Sequence, residues 1–297
     1  MSETPAAVST PSMLLQALRA CGVAHGDTLM VHSSLKSFGT FDGGPKAVID
    51  ALLEAVGPAG HVVMPALTAT YVSLPKTDGL AFHPARTPSR VGAITELFRK
   101  RKDAVRSGHP THSLACIGPR AAAWMAGHGV ETTTFGGWDG AYAHYVRADG
   151  GPSKLVFLGV TMVCNTTLHA VEEWLGLPYM AEAMARVEDD AGTAREVRVT
   201  QAPLGPRGFY KPQDRHHLHM ARTGRIRQAA CGPASVSVLD ARACVAETVR
   251  QELATPGALL KDSPDCEFST KGRAAILTMQ DEVRARADEI RRRGLSE

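Results

Sequence analysis

The sequence lacks the features that mark several large classes of protein. No apolar run approaches the roughly 20 residues that a helix needs to cross a bilayer, so no membrane-spanning segment is predicted. The six cysteines include no Cys-x-x-Cys pair and lie far apart, which favours reduced thiols over a disulfide framework. A net charge of +3 on 297 residues is too small to indicate nucleic-acid binding. We therefore expect a soluble, cytoplasmic protein that binds neither membranes nor nucleic acid.

The beginning of the chain also lacks a targeting signal. Residues 1–12 are rich in Ser, Thr, Ala and Pro and place no positively charged segment before an apolar stretch, which is typical of a flexible lead-in rather than a signal peptide. A hydrophobic content of 44% allows a sizeable core, and no internal repeat divides the rest of the chain. We expect residues 13–297 to form a single catalytic unit.

Short apolar segments alternate with helical patterns through the first two thirds of the chain, and this alternation predicts an α/β fold. The predicted strands there are 28–32, 61–67, 113–117 and 155–160, and the predicted helices are 14–21, 46–56, 87–102, 120–126 and 166–175. After residue 180 the pattern favours antiparallel or mixed pairing, with strands at 196–201 and 235–239 and helices at 213–223, 241–253 and 271–293. The expected architecture is a central mixed sheet flanked by helices.

Polar residues follow several of the predicted strands. His32, Ser33 and Ser34 follow the first, Thr68 follows the second, and residues 164–167 come soon after the fourth. Ligands of open α/β sheets bind beyond the carboxyl ends of the strands. We expect these three segments to converge on one cleft.

The segment Asn165-Thr-Thr-Leu-His-Ala-Val-Glu172 predicts a site for proton transfer at the start of a helix. Asn165 or Thr166 can act as the N-cap, and three-residue spacing puts His169 and Glu172 on one helix face. Glu173 is an alternative partner for His169, because four-residue spacing reaches the same face. The positive end of the helix favours neutral imidazole and Glu172 favours imidazolium, and the sequence leaves this balance open.

Seven segments, in order, resemble the aminoglycoside 3-N-acetyltransferase family, whose antibiotic N-acetyltransferase fold differs from that of the GNAT superfamily. They are Met30-Val-His-Ser-Ser-Leu35, Val63-Met-Pro65, Phe82-His-Pro84 with Thr87-Pro-Ser89 and Val91-Gly92, Arg106-Ser-Gly-His-Pro-Thr-His-Ser113, Gly118-Pro119, Leu158-Gly-Val160, and Asn165-Thr-Thr-Leu-His169 with Glu172. The resemblance covers residues 13 to about 180. It is looser beyond that point, where it rests mainly on Val238-Leu-Asp-Ala-Arg242.

The resemblance implies an enzyme that transfers an acetyl group from acetyl-CoA to the 3-amino group of the 2-deoxystreptamine ring of an aminoglycoside, and so confers antibiotic resistance. No metal is needed for this reaction. His169 would be the general base and Glu172 its partner, and Thr167, or alternatively Thr166, would stabilise the negative charge on the thioester oxygen. Residues 13–180 would bind the cofactor and carry the catalysis, and residues 181–297 would shape the acceptor site and end in a helix.

The resemblance also implies two segments that contact CoA. The first contains His32, Ser33, Ser34 and Leu35, whose hydroxyls and amides follow a predicted buried strand. The second contains three candidate contacts, which are Arg106, His109 and Ser113. A fixed cation and hydroxyl groups suit an anionic ligand that accepts hydrogen bonds. Outside the family context, a surface salt bridge is the alternative for Arg106 and a simple turn is the alternative for the two serines.

Several alternatives stay open at this stage. The same acyl transfer could serve a non-aminoglycoside amine of a biosynthetic pathway, and a CoA-binding protein without catalysis is a further possibility. A cationic aminoglycoside calls for several carboxylates, for which Glu172, Glu173, Glu182, Asp139 and Asp214 are available.

Two features of the C-terminal part leave further alternatives. His216, His217 and His219 could suggest a metal site, but their spacing fits no common zinc pattern. Ile276, Val283 and Ile290 recur at seven-residue spacing and predict a helix that docks on its own domain or joins a homodimer, so the protein is expected to be a monomer or a homodimer.

Overall fold

The computed structural model describes residues 8–68, 81–203, 205–208 and 215–297. Its strands are β1 (Val8–Ser9), β2 (Thr28–Ser33), β3 (Thr40–Phe41), β4 (His61–Pro65), β5 (Val105–Arg106), β6 (Leu114–Ile117), β7 (Ser153–Leu158), β8 (Met180–Glu188), β9 (Ala194–Pro203), β10 (Arg227–Cys231) and β11 (Ala234–Asp240). Its α-helices are α1 (Pro11–Ala20), α2 (Gly44–Val56), α3 (Ala93–Arg99), α4 (Ala121–Ala126), α5 (Ala141–Arg147), α6 (Thr167–Trp174), α7 (Arg215–Arg222), α8 (Ala241–Ala254), α9 (Glu267–Thr278) and α10 (Gln280–Arg292).

Seven strands form the central sheet in the order β10-β11-β7-β2-β4-β6-β5. The three middle strands β7, β2 and β4 are parallel, whereas the pairs β4 with β6, β5 with β6, β7 with β11 and β10 with β11 are antiparallel. The sheet is therefore mixed, as the sequence predicted. Because β7, β2 and β4 run in the same direction, their carboxyl ends meet at one edge.

Two hydrophobic clusters cover the two faces of this sheet. Along β2, Leu29 and Val31 pack into the cluster that contains α1 and α2, while Met30 packs into the cluster that contains α5, α6 and α8. This two-residue alternation is the pattern of a strand that is buried on both sides. The central strand consequently carries polar side chains only at its two ends, Thr28 at the start and His32 and Ser33 at the carboxyl end.

Two further strands, β8 and β9, form a separate antiparallel hairpin. The hairpin is attached to the segment that follows residue 81, because Phe82 pairs with Val187 and its amide donates to the carbonyl oxygen of Arg186 at 2.8 Å. Phe82, Val187 and Val199 belong to a third, small hydrophobic cluster. This arrangement joins the region after residue 180 to the part of the chain that carries the family motifs.

Residues 8–12, the described part of the predicted lead-in, are not a loose extension. Val8 and Ser9 pair in parallel with Thr40 and Phe41, and the hydroxyl of Thr10 accepts a hydrogen bond from the amide of Met13 at 3.3 Å. Thr10 is thus the N-cap of α1. These five residues thus make defined contacts with the rest of the chain, and residues 1–7 lie outside the described part.

Two predicted helices differ from the observed ones. The helix predicted at 87–102 begins only at Ala93, because Gly92 has φ of 125°, far from the helical value of about −63°. The helix predicted at 271–293 is two helices, α9 and α10, which are interrupted at Met279 with φ of −122°. Ile276, Val283 and Ile290 are all buried in the cluster on the α6 face, so this region docks on its own chain.

The six cysteines are free thiols. Within the described residues, no helix is both long enough and apolar enough to span a membrane.

Candidate functional site

Helix α6 brings the predicted base and carboxylate into direct contact. The amide of Thr167 donates to Asn165 Oδ1 at 3.1 Å, which caps the helix start. His169 Nδ1 lies 2.6 Å from Glu172 Oε2, and both side chains are at most 1% exposed. In the neutral imidazole, donation from Nδ1–H to Glu172 leaves the lone pair on Nε2. The pair therefore has the geometry of a base and a group that orients it.

Glu172 has two further partners that the sequence did not predict. Arg207 Nε donates to Glu172 Oε1 at 2.6 Å, and Tyr179 OH donates to the same oxygen at 3.1 Å. The guanidinium of Arg207 also lies over the ring of Tyr179, with 4.7 Å between its Cζ and the ring centroid. Arg207 lies in a Gly- and Pro-rich segment, in the part of the chain after residue 180 that resembles the family less. Neither periodicity nor a motif there predicts a functional residue.

The environment of the pair favours a neutral histidine beside an ionised carboxylate. Burial lowers the pKa of His169 below its usual range, and this effect outweighs the opposing influence of Glu172. Burial alone would raise the pKa of Glu172, but the charges of Arg207 and His169 hold this pKa below its ordinary value. Of the two influences that the sequence left open, burial therefore favours the uncharged imidazole.

Glu173 is not the partner of His169. Its carboxylate accepts hydrogen bonds from Thr133 Oγ1 at 2.5 Å, from the amide of Phe135 at 3.0 Å and from the amide of Gly137 at 2.9 Å. These contacts attach the loop before α5 to α6. Of the two adjacent glutamates, Glu172 faces the histidine and Glu173 anchors a loop.

The two threonines at the helix start have different surroundings. The hydroxyl of Thr167 is fully buried and hydrogen-bonded to Tyr145 OH. Thr166 Oγ1 is also buried, but it has no hydrogen-bond partner among the described residues. Thr166, not Thr167, is among the residues that line the adjacent cavity.

A cavity of about 440 Å³ lies at the carboxyl ends of β2 and β4, beside the start of α6. Its lining is mostly apolar and consists of Val31, His32, Ser33, Pro65, Leu67, Val91, Thr95, Val163, Cys164 and Thr166. The predicted convergence of the first and third polar segments is confirmed by this lining. Thr68 is not part of it and instead hydrogen-bonds to the carbonyl oxygen of Pro110.

His32 is the buried titratable group of this cavity wall. Its ring stacks on Phe157 with 5.3 Å between the ring centroids, and its Nε2 has no hydrogen-bond partner among the described residues. Burial lowers the pKa of His32 to about 3, so the ring is neutral at physiological pH. The cavity wall therefore contains an uncharged, buried ring nitrogen without a partner among the described residues.

The other two residues of the first predicted CoA segment, Ser34 and Leu35, are not among the residues that line this cavity. The amide of Ser34 donates to the carbonyl oxygen of Leu158 at 2.9 Å, and Leu35 begins a short 3₁₀ turn and packs against the α1 and α2 cluster. Gly159, which follows Leu158, has φ of 65°, and a Cβ there would lie 2.2 Å from the Cβ of Ser37. The turn after β2 thus packs closely against the end of β7.

Arg106 and Ser113 form an internal clamp. Arg106 Nε donates to Ser113 Oγ at 3.0 Å, and its terminal nitrogens donate to the carbonyl oxygens of Pro84, Thr87 and Ala66. Burial lowers the pKa of Arg106 to about 10, which leaves the guanidinium charged at neutral pH. Neither residue is among those that line the cavity described above.

His109 lies within a buried group of histidines behind His169. Its Nδ1 accepts a hydrogen bond from the amide of His112 at 3.2 Å, and its ring stacks on His128 with 5.0 Å between the centroids. Burial holds the pKa values of His109, His112 and His128 well below the usual range. These rings form an uncharged wall behind the His169 site.

Comparison with known proteins identifies the family and the fold of the chain. The sequence profile described as aminoglycoside 3-N-acetyltransferase matches residues 30–251, which include the cavity and all of α6. The chain belongs to the aminoglycoside 3-N-acetyltransferase family. The family resemblance of the sequence is thereby confirmed.

Curated relatives in this acetyltransferase family are about one third identical. Aminoglycoside N(3)-acetyltransferase VII of Streptomyces paromomycinus is 32% identical over 183 residues, which are 57% of this chain and 62% of that enzyme. Aminoglycoside N(3)-acetyltransferase III of Salmonella sp is 31% identical over 185 residues, with coverages of 57% and 62%. The matches therefore span less than two thirds of the length of these relatives.

Solved acetyltransferase structures share the fold over most of the chain. The apoenzyme of AAC(3)-IVa superimposes with a TM-score of 0.74 at 24% identity over 92% of this chain and all of that one. The binary complex of AAC-IIIb with CoASH gives a TM-score of 0.70 at 26% identity, with coverages of 87% and 100%. AAC-VIa bound to sisomicin gives 0.69 at 25% identity, with coverages of 82% and 97%. The predicted α/β architecture is confirmed.

The carboxylates considered for a cationic acceptor are engaged with other groups of the chain. Besides Glu172 and Glu173, Glu182 pairs with Arg198 at 2.9 Å, and Asp139 lies 3.5 Å from Arg147 and Arg293. Both of these residues are largely exposed, so a charged ligand can compete with their partners. Asp214 lies outside the described residues.

The histidines considered as metal ligands do not form a described cluster. His219 Nε2 lies 2.9 Å from Glu247 Oε1, and the side chains of His216 and His217 lie outside the described part of the chain. Among the described residues, no group of three or more potential ligands converges on a metal position.

Proposed function

We propose that this chain is an acetyl-CoA-dependent N-acetyltransferase that acetylates the 3-amino group of 2-deoxystreptamine aminoglycosides and so confers resistance to them. The observation that carries the proposal is the buried His169–Glu172 pair, joined at 2.6 Å at the start of a helix that borders the cavity. The family membership of the chain supplies the reaction class, and the structures of AAC-IIIb with CoASH and AAC-VIa with sisomicin support the two substrates.

The cavity fits the acyl-carrying arm of acetyl-CoA. Its mostly apolar walls suit a flexible chain, and two buried polar atoms that lack a partner among the described residues, His32 Nε2 and Thr166 Oγ1, suit the amide and carbonyl groups of such a chain. Ser33 lines the same wall. We propose Ser34, Leu35, Arg106, His109 and Ser113 as residues that hold this wall and its surroundings in place.

His169 acts as the general base of the proposed reaction. An aminoglycoside amine is largely ammonium at neutral pH and must lose one proton to solvent before its lone pair can attack the thioester carbonyl; the amine loses a second proton as the amide forms. Neutral His169 accepts the proton at Nε2 as the carbon–nitrogen bond forms, and Glu172 then lies against the imidazolium at Nδ1. The carbon–sulfur bond breaks and the thiolate of CoA leaves, to be protonated on release.

Thr166 is the better candidate for the oxyanion donor. As the thioester oxygen acquires negative charge, the hydroxyl of Thr166, a residue that lines the cavity, can donate to it because it has no other partner among the described residues. The Thr167 hydroxyl is already bonded to Tyr145 OH. We therefore propose that Thr166 stabilises the oxyanion and that Thr167 fixes α6 against α5. The amide groups at the helix start add a favourable dipole.

The proposal is tested with the purified chain, acetyl-CoA and the acceptors sisomicin, gentamicin and apramycin. We expect CoA thiol release with at least one acceptor and a product acetylated at the 3-amino group, located by NMR. His169→Gln should lower kcat by roughly 10²- to 10⁴-fold, because it removes the base.

The matched control is His25→Gln at an exposed histidine, which should retain wild-type turnover. Turnover of His169→Gln within a few-fold of the wild type would refute the role of the base. Thiol release with simple amino sugars and none with these antibiotics would favour the non-aminoglycoside acceptor, and CoA binding without turnover of any amine would contradict an enzymatic function.

A further inference from the structure

Helix α8 carries a buried carboxylate that the proposed reaction does not use. Glu252 is 1% exposed, and it accepts hydrogen bonds from the amide of Gly257 at 2.5 Å and from the amide of Leu259 at 3.3 Å. Burying a carboxylate is costly unless hydrogen bonds or charges compensate. The two amide hydrogen bonds offset part of this cost and attach Glu252 to the residues that follow α8.

Residues 257–260 form the turn whose amides bind Glu252. This turn pairs with the segment that carries Arg207. The amide of Gly208 donates to the carbonyl oxygen of Leu259 at 3.0 Å, and Arg207 forms an antiparallel bridge with Leu260. One residue further on, the amide of Lys261 donates to the carbonyl oxygen of Pro206 at 3.4 Å. The backbone position of Arg207 is thus set by the turn that Glu252 organises.

A continuous series of contacts then leads to the proposed base. Glu252 binds the turn, the turn pairs with Arg207, Arg207 Nε donates to Glu172 Oε1, and Glu172 Oε2 lies against His169 Nδ1. The side chains of Arg207 and Glu172 are completely buried, so water does not screen this part of the series.

We propose that Glu252 is a positioning residue for His169, which acts by holding Arg207 against Glu172 and by supplying a buried negative charge when His169 takes up a proton. This inference rests on the proposed function of His169 as the base. It assigns to α8, which lies in the less similar half of the chain, a part in the reaction.

The charges of the site support this role. Ionised Glu252, Arg207, ionised Glu172 and protonated His169 alternate in sign. Once His169 is protonated, the four groups are neutral together only if Glu252 is ionised. Ionised Glu252 therefore favours the imidazolium that forms during proton transfer. Other titratable groups of the described residues also face this series. Tyr179 donates to Glu172, Arg273 donates to the carbonyl oxygens of Leu260 and Lys261 in the turn, and a charge on His112 would disfavour imidazolium at His169.

The ionisation of Glu252 falls in the working pH range. Burial raises its pKa to about 7, and Glu172 adds to this rise, while the amides of Gly257 and Leu259 oppose it. The carboxyl is consequently protonated below pH 7 and charged above it. We expect log kcat of the wild type to rise through a step near pH 7 that reports this ionisation.

The test compares Glu252→Gln with Glu247→Gln, a control on the same helix whose carboxylate is 6% exposed and pairs with Arg250 and His219. We expect Glu252→Gln to lose the step near pH 7 and to lower kcat about 10-fold at pH 8, with KM for acetyl-CoA within twofold of the wild type. The control should keep the step and the rate. A step that persists in Glu252→Gln, or a kcat within twofold of the wild type, would overturn the proposal.

Two additional measurements keep the test decisive. If Glu252→Gln does not fold, Glu252→Asp is the second variant. It should move the step to lower pH, because the ordinary pKa of aspartate is lower than that of glutamate. An unmoved step in folded Glu252→Asp would overturn the proposal.

The ¹⁵N shifts of the His169 imidazole should change near pH 7 in the wild type and not in Glu252→Gln. This NMR comparison needs no acceptor, so it separates failure of this inference from failure of the proposed function.

Discussion

Arg207 Nε lies 2.6 Å from Glu172 Oε1, although 35 residues separate the two in the sequence, and both side chains are fully buried. A buried ion pair costs desolvation on both sides, and removing one partner leaves the other charge uncompensated. The carboxylate of Glu172 therefore contacts two groups at once. Its Oε2 lies against His169 Nδ1, and its Oε1 pairs with the charge of Arg207.

A double-mutant cycle separates the effects of these two contacts. We expect Glu172→Gln to lower the free energy of unfolding by about 3–5 kcal/mol, because it leaves Arg207 buried without its anion. Glu172→Gln combined with Arg207→Met should regain most of that stability but not the activity, since His169 still lacks its carboxylate. Urea unfolding and kcat of both variants are the measurements. Equal recovery of stability and activity in the double variant would contradict the orienting role.

The two threonines at the start of α6 provide a second prediction. Thr166→Val should lower kcat about 100-fold with little change in stability, because it removes a single oxyanion donor that is not bonded to another described residue. Thr167→Val should instead lower the free energy of unfolding by about 1–3 kcal/mol, because it leaves Tyr145 OH buried without this partner. Steady-state kinetics and denaturant unfolding of the pair decide between them, and the reverse pattern would assign the oxyanion to Thr167.

The buried histidines predict that the fold loses stability in mild acid. Burial lowers the pKa values of His32 and His112 to about 3 and that of His128 to about 4, whereas an unfolded chain titrates near 6.5. The unfolded state therefore binds more protons below pH 6.5, and the stability present above this pH is lost as the pH falls. Each ring contributes up to about 1.4 kcal/mol per pH unit.

Urea unfolding between pH 7.5 and pH 5 measures this loss. His128→Gln should reduce the slope of unfolding free energy against pH by about 1.4 kcal/mol per unit, because one such ring is removed. His25→Gln, at an exposed position, should leave the slope unchanged. A flat profile from pH 6.5 to 5 would show that these rings are protonated in the folded protein.

The sequence predicted the parts of this molecule that local patterns determine. The strands at 28–32 and 61–67 and the helix at 166–175 lie close to their observed bounds, because apolar periodicity and capping residues act over a few positions. The pairing of His169 with Glu172 followed from helix geometry alone, and only the choice against Glu173 needed the structure, since the loop at 133–137 takes that carboxylate.

The remaining features depend on contacts between distant segments. Arg207 and Glu252 reach the site through a loop and through α8, and neither carries a local pattern that distinguishes it from a surface charge. The same reason explains Arg106, whose sequence neighbourhood suggests an anion contact but whose donors are used by three carbonyl oxygens and Ser113. A buried charge is recognised by the distant segments that pack around it, and a single sequence does not show these contacts.

All eight residues of α6 are buried, so no face of this helix is available to adjust to a new substrate. A substitution there disturbs a packed core or the proposed base. Exposed positions such as Glu182 and Arg198 of the β8–β9 hairpin carry no such constraint. If the chain has the proposed function, we expect its sequence relatives with other acceptor ranges to differ outside this helix and to preserve the helix itself.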